Sequence, residues 1–351
     1  MNDESLIRPD ELVLVTGSNG FVGSKVVETL LLSGFTNLRC FVRPSSNLTK
    51  LKALTSPFAA ASLDLVEGNL LSREDCKRAA EGVSIIFHLA AGFEKSFPGA
   101  FMNSVVTTRN LLEAVAEQTS FKRFVNVSSF AVYAPRLVRR GGLLDETCEV
   151  EANPLVRGEA YCYGKVKQEE MLRQYGKTHN IPYVIVRPGW VFGPGNTGIS
   201  GRVGIDTFGM FFHMGGSNRI PLTYIDNCAE LIMLAGMRKG VDGLIFNAVD
   251  DELPTSRAFL RRYKGEVDAF RSVPIPKTLS YLLCYLWERY SKWSQGQLPP
   301  VFNRSRWTAE WKGANYSNLK AKQLLGWSPR IPLDEALSRY FQYQKQARVS
   351  L

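Results

Sequence analysis

The chain has 351 residues, 45% of them hydrophobic and 22% charged, a near-average globular composition that can bury one large domain and a smaller one beside it. Lys and Arg total 43 against 33 Asp and Glu, and the formal charge of +10 suits phosphorylated ligands or an acidic surface; apart from Arg304, Arg306, Trp307, Trp311 and Lys312 no basic run interleaves with aromatics, so nucleic acid is not an expected partner and that patch reads as an anionic-tail site or surface packing. Six scattered cysteines without a CxxC pair and three histidines argue against a disulfide framework and a zinc site.

Residues 1–10 carry Asp3, Glu4, Arg8 and Asp10 and no apolar run, so they do not read as a signal peptide and a cytoplasmic location is expected. Residues 12–16 (LVLVT) form a short apolar run, and residues 24–32 place Val26, Val27, Leu30 and Leu31 at helical spacing. Between them lies a glycine-rich turn, Thr16-Gly17-Ser18-Asn19-Gly20-Phe21-Val22-Gly23, with GxxGxxG spacing. Gly17 permits the tight turn, Gly20 lets the backbone approach a pyrophosphate, and Gly23 lets helix pack on strand, while free N–H groups at the helix start meet phosphate. Strand, turn and helix in this order predict a dinucleotide site. The second strand, residues 38–42, leads to Arg43, where an acid would bind both ribose hydroxyls of NAD(H). A guanidinium pairs instead with a 2′-phosphate, so NADP(H) is favoured and NAD(H) is the alternative.

Strand-like runs recur at residues 63–66, 85–89, 124–127 and 183–186, separated by helix-like stretches such as 74–81 and 104–118. The alternation predicts an α/β fold, a Rossmann-type doubly wound parallel sheet covered on both faces. Residues 1–190 make up this dinucleotide-binding domain, with residues 224–250 returning to it through a helix (227–237) and a strand (244–248). Residues 189–217 are glycine-rich and irregular, and residues 191–223 with 251–351 form a smaller, mainly helical C-terminal substrate domain. Residues 279–287 are strongly apolar but fall short of the roughly 20 residues of a membrane span. A packed helix or a lid over the substrate is the leading expectation there, and interfacial membrane contact the alternative.

A tyrosine is a poor acid or base near neutrality unless a nearby ammonium lowers its pKa, and Tyr and Lys four residues apart share one helix face. Three such pairs occur, Tyr161/Lys165, Tyr163/Lys167 and Tyr316/Lys320, and spacing alone does not choose among them.

With TGSNGFVG (16–23), GNL (68–70), HLAA (88–91), Asn103 followed by TTRNLLEA, VSSFAVY (127–133), YCYGK (161–165), RPGWVFGPG (187–195) and YIDNCAE (224–230), the chain resembles the extended short-chain dehydrogenase/reductase family up to about residue 339. That family has a small residue before the lysine and Glu four after it, conditions that Gly164 and Glu169 meet for Lys165. The resemblance implies Tyr161 as general acid/base, Lys165 holding the nicotinamide ribose and depressing the Tyr161 pKa, Ser129 ahead of Ser128 on the substrate oxygen, and Asn103 supporting a proton relay, or else capping a helix. It also implies cofactor contacts at Asn69 and Leu70 near adenine, at Leu89, Ala90 and Ala91 along the adenosine ribose, and at Pro188 and Val191 near the carboxamide. Asn69 departs from the family's Asp, but an amide carbonyl can still accept from adenine's amino group.

Dehydratases of the family carry Asp and Glu where this chain has Phe130 and Ala131, which removes water elimination from consideration. RPGWVFGPG differs from the RYFNVYGP of nucleotide-sugar epimerases and is similar to the branch of 3β-hydroxysteroid dehydrogenases and ketone reductases, while Phe208, Phe211, Phe212 and Trp287 would suit an apolar substrate, with core packing the leading expectation for each of them. The leading expectation is therefore NAD(P)-dependent oxidoreduction of a carbonyl or secondary alcohol on a small-molecule substrate. Nucleotide-sugar epimerisation or reduction follows, then a non-catalytic dinucleotide sensor. A homodimer is an open option for the assembly.

Overall fold

Apolar runs such as Val13–Val15 and Ile85–Phe87, each closed by one buried polar residue, Thr16 and His88, are buried over their whole length and so need cover on both faces. In a computed structural model of the protein, which describes residues 5–58, 61–92, 94–196, 198–207, 209–295, 297 and 302–349, these runs are strands of a seven-stranded parallel sheet. We label them β1 (Val13–Thr16), β2 (Asn37–Val42), β3 (Ser62–Glu67), β4 (Ile85–His88), β5 (Arg123–Val127), β6 (Tyr183–Pro188) and β7 (Ile245–Ala248). Their spatial order is β7-β6-β5-β4-β1-β2-β3. Chain order reverses beside β1, which pairs Val13 with Leu38 of β2 on one side and with Ile85 of β4 on the other. In such sheets ligands bind outside the carboxyl ends of the strands at this switch point.

The period-two alternation of strand side chains divides the interior into two cores. Val13, Val15, Ile85, Phe87, Val125 and Val127 pack on one face with the Phe21–Leu32 and Ile225–Met237 helices. Leu14, Ile86, Phe124 and Ile185 pack on the other with Leu111, Leu112 and Leu172. Ala321, Leu325 and Trp327, expected among the C-terminal residues of the substrate domain, belong instead to the first of these cores.

Beyond the sheet, Phe192, Tyr224, Phe259, Tyr263, Tyr340 and Phe341 build an aromatic core of their own. Trp190 packs into it, with ring centroids 5.8 Å from Phe259 and 6.1 Å from Tyr340. The stretch read as irregular contains three short strands, Trp190–Phe192, Gly204–Thr207 and Met210–His213. The last two pair antiparallel, and a Cβ on Gly204 would stand 2.2 Å from the Phe212 carbonyl oxygen, so only glycine lets them close. Phe211 is buried in the aromatic core against Phe270, so it packs the domain and does not line a substrate channel; Phe208 lies outside the described residues.

Candidate functional site

The glycine turn follows β1 at the switch point. Gly17 holds φ of +69°, and a Cβ there would stand 2.8 Å from Ala90 N. A Cβ on Gly23 would lie 1.9 Å from Gly17 O, so the helix can sit this close to the turn only without a side chain. Gly20 is the N-cap of the Phe21–Leu32 helix, with no side-chain cap and no acid in the first turn. The first N–H groups of that helix, at Phe21, Val22 and Gly23, have no intrahelical acceptor, the arrangement that receives a phosphate. A pyrophosphate therefore fits the turn. Ser18 Oγ donates to Phe41 O at 3.2 Å and Asn19 Nδ2 to Asn47 O at 2.8 Å, which fixes the turn to the end of β2.

Arg43 follows β2 directly and is exposed, and residues 43–50 (RPSSNLTK) contain no carboxylate. After β3, Asn69 is exposed and its Oδ1 already accepts from Leu71 N at 3.0 Å, so one lone pair remains for an adenine amino group. Leu70 is buried, with its carbonyl held by Asn110 Nδ2 at 2.9 Å. Leu89, Ala90 and Ala91 follow β4 and stay half-buried, and Ala90 N donates to Thr16 Oγ1 at 3.4 Å. Pro188 ends β6, and Val191 lies in the short strand just beyond it. All these positions cluster at the carboxyl ends of the strands.

The Ala160–Thr178 helix carries the first two Tyr/Lys pairs. Tyr161 is half-buried and hydrogen-bonded to Ser129; burial pushes its phenol above the ordinary value, with Ser129 opposing. Ser129 caps the short Phe130–Val132 turn, its Oγ accepting from Ala131 N at 3.1 Å. Lys165 is buried and donates to Val127 O at 2.7 Å and to Gln168 Oε1 at 2.9 Å; burial pushes its ammonium down to about 8, with Glu169 opposing. This corrects the expectation that Lys165 depresses the Tyr161 pKa. The lysine's bonds run to Val127 and Gln168, and desolvation governs the phenol.

Tyr163 faces away, its ring set edge-on to Phe97 at 5.4 Å, and Lys167 pairs with surface Glu170 at 2.6 Å. Tyr316 sits in a two-residue strand stacked on Phe130, while Lys320 lies in the Leu319–Leu325 helix, so the third pair shares no helix. Of the three pairs, Tyr161/Lys165 is the one that sets a tyrosine on Ser129 and a buried lysine on the same helix.

Ser128 is occupied elsewhere. Its hydroxyl donates to Glu169 Oε1 at 2.6 Å, and Glu169 also receives Arg187 at 2.8 and 2.6 Å. Burial would raise the Glu169 carboxyl, but Arg187 holds it below the ordinary value. This buried fork ties the Ala160–Thr178 helix to β6. Asn103, expected to support a proton relay or cap a helix, lies in a π-helical turn, Phe101–Val106, and its Nδ2 donates to Glu94 Oε1 at 2.8 Å.

The partner that sequence reasoning missed is Gln168. Its Nε2 donates to Thr108 Oγ1 at 2.8 Å, and Thr108 spends its proton on Ser104 O at 2.6 Å. His88 Nε2, 3.0 Å from Thr108 Oγ1, must therefore carry a proton. Burial, with the Lys165 charge, pushes the imidazole down to about 3, so Nδ1 is bare and accepts from Thr16 Oγ1 at 2.8 Å. This buried chain links Lys165 to the start of the glycine turn. Gln168 lies at i+3 from Lys165, the signal that could have found it. The basic patch is also consumed structurally: Arg304 pairs with Glu288, Arg306 with Glu159, and Lys312 donates to the Pro135 and Arg136 carbonyls.

A family model described as the NAD dependent epimerase/dehydratase family matches residues 13–248. An uncharacterized UDP-glucose epimerase of Bacillus subtilis is 31% identical over 52% of this chain and 57% of its own length. The mouse sterol-4-alpha-carboxylate 3-dehydrogenase, decarboxylating, is 24% identical over 93% of this chain and 89% of its own. The chain spans between 38% and 57% of the length of the first curated relatives it matches. A crystal structure of UDP-glucuronic acid 4-epimerase from Bacillus cereus in complex with NAD superposes with a TM-score of 0.70 at 22% identity, over 96% of this chain and 99% of that one, a likeness of fold.

Proposed function

Because the chain belongs to the NAD dependent epimerase/dehydratase family, we propose that it moves a hydride between a nicotinamide cofactor and the carbon of a ketone or secondary alcohol, with Tyr161 handling the proton. The observation that carries this reading is the bond between Tyr161 and Ser129, one helical turn from the buried ammonium of Lys165. The turn from Gly17 to Gly23 would hold the pyrophosphate, with Arg43, Asn69 and Leu70 toward the adenosine. Leu89 to Ala91 would lie along its ribose, Lys165 and Tyr161 at the nicotinamide ribose, and Pro188 with Val191 at the carboxamide.

The cofactor, when bound, supplies or accepts the hydride. Ser129 and Tyr161 receive the substrate oxygen between their hydroxyls, which fixes the carbon beside them. In the reductive direction Tyr161 Oη donates its proton to that oxygen; in the oxidative direction it takes the proton back. A phenol raised by burial is the better placed to stay protonated, which favours the donor role. Lys165 keeps a positive charge near the ribose position, anchored by Val127 and Gln168. Arg43 and the acid-free loop after it support NADP(H) over NAD(H), and the NAD-bound relatives keep NAD(H) as the alternative.

Nucleotide-sugar interconversion is the second reading, favoured by the Bacillus subtilis relative. Cofactor turnover separates the two, since an epimerase returns its hydride to the same substrate. NADPH or NADH absorbance is followed with panels of ketones and nucleotide-sugars. Sustained loss in proportion to alcohol product is expected; nucleotide-sugar interconversion with no net loss would overturn the first reading.

A further inference from the structure

A helix lying on a folded body normally turns its apolar stripe inward. The Lys277–Trp293 helix does the reverse, because its buried side chains are Ser280, Cys284 and Ser291. These small groups let it sit close, and Ser280 Oγ accepts the Trp307 indole N–H at 2.8 Å. Its large apolar residues Leu279, Leu282, Leu283, Leu286, Tyr290 and Trp293 are exposed, Leu282 by 50%, Leu286 by 52% and Trp293 by 78%. At 3.6 residues per turn these six fall within an arc of about 100°, a continuous stripe along the helix. Single exposed apolar side chains are ordinary on a protein surface, whereas a contiguous stripe marks a contact.

Charge indicates what the contact is. Arg289 is exposed and borders the stripe, about 20° beyond Leu282, and the exposed Lys292 follows about 60° further round the helix. The only acid of the helix, Glu288, is engaged on another side by Arg304 at 2.8 Å. An apolar band with a cationic rim and no competing carboxylate complements an anionic surface. It does not complement a second copy of a chain whose formal charge is +10.

We propose that this helix rests in the plane of an anionic lipid bilayer, its stripe in the boundary between headgroups and acyl chains and Arg289 and Lys292 on the lipid phosphates. The contact is peripheral: among the described residues no helix is long and apolar enough to cross a membrane. The surface is also coupled to the site. The helix packs on Arg304–Trp311, where Arg306 pairs at 3.3 Å with Glu159, the residue that opens the helix carrying Tyr161. Asn303, just ahead of it, donates to Arg157 O at 2.9 Å. The membrane contact stands whether or not the carbonyl reading of the site holds, because its readout is binding.

The test is co-sedimentation of the full chain with vesicles of phosphatidylcholine alone and with about 30% phosphatidylserine, at low and high salt. Binding to the anionic vesicles is expected to be about tenfold stronger than to the neutral ones and to weaken with salt. Leu282→Ser with Leu286→Ser should abolish it, and Arg289→Gln with Lys292→Gln should lower it about tenfold. These side chains are exposed, and an unchanged circular dichroism spectrum checks that the variants fold. Absence of binding to either vesicle, or binding indifferent to the leucine variant, overturns the proposal. So does a dimer in light scattering that the leucine variant dissociates, since a second copy would then cover the stripe.

Discussion

Replacing Gln168 by Met keeps the volume near Lys165 but removes the acceptor of one of the two hydrogen bonds that fix its ammonium, the one measured at 2.9 Å. Hydrogen bonds to charged groups contribute about 1.5 to 3 kcal/mol, and one pKa unit corresponds to about 1.4 kcal/mol. Because the Val127 carbonyl at 2.7 Å remains, the lower figure applies, and the Lys165 pKa should fall by about one unit from its value of about 8. Near neutrality the variant would then hold a half-discharged lysine. The assay is kcat/KM against pH, which reports groups of the free enzyme, beside cofactor affinity across the same range. The alkaline limb should move about one unit toward acid, with cofactor affinity lost in parallel. If the limb stays in place while only thermal stability drops, Gln168 merely fills space and the link from the lysine to Thr108 has no part in the chemistry.

Tyr161→Phe should cut turnover by about 10² to 10⁴-fold with cofactor binding nearly intact, while Tyr163→Phe, which alters only the ring on Phe97, should retain most activity; the opposite pattern would show that the helix presents Tyr163 to the substrate. Arg43→Ala should erase a preference for NADP(H) at a cost of about 1 to 3 kcal/mol in calorimetric titration, and equal affinities in the unaltered protein would dispose of the preference. Burial raises the Asp250 carboxyl to about 7, against the opposing bonds from Tyr224 N and Asn227, so the folded state binds the proton more tightly than the unfolded chain. Its contribution to stability is complete below about pH 4 and lost as pH rises through about 7, and Asp250→Asn should flatten that part of the denaturant-midpoint profile; a slope unchanged in the variant would contradict it.

The parallel sheet was legible because apolar runs such as 85–87 admit few alternatives, and the glycine turn because Gly17 and Gly23 are demanded by backbone contacts a Cβ would violate. The preference for Tyr161 over Tyr163 rested on Gly164, where a Cβ would stand 3.1 Å from Ala100 O, and on Glu169, which receives Arg187. The π-helical turn at Asn103 was not legible, because it carries one residue more per turn than an α-helix and leaves no mark on the spacing of apolar residues. The strands Gly204–Thr207 and Met210–His213 are too short for periodicity to reveal. Residues 279–287 were legible as an apolar segment, a packed helix or lid with interfacial contact as the alternative, but apolarity does not say which side meets the body. Small serines and a cysteine won that face because they allow close approach, leaving the leucines outside.

The chain of bonds from Gln168 through Thr108 and His88 to Thr16 has a fixed polarity, since Thr108 gives its proton to Ser104 and His88 offers a bare Nδ1 to Thr16. Proton conduction along such a row requires every link to reverse, and reversal here would load a second proton on an imidazole whose affinity lies near pH 3. The interior behind Lys165 thus acts as an insulator. In the proposed reaction, protons consumed or released at Tyr161 exchange with bulk water on the side where Tyr161 and Ser129 are only half-buried, so solvent access there sets the upper limit on how fast the site can be reprotonated.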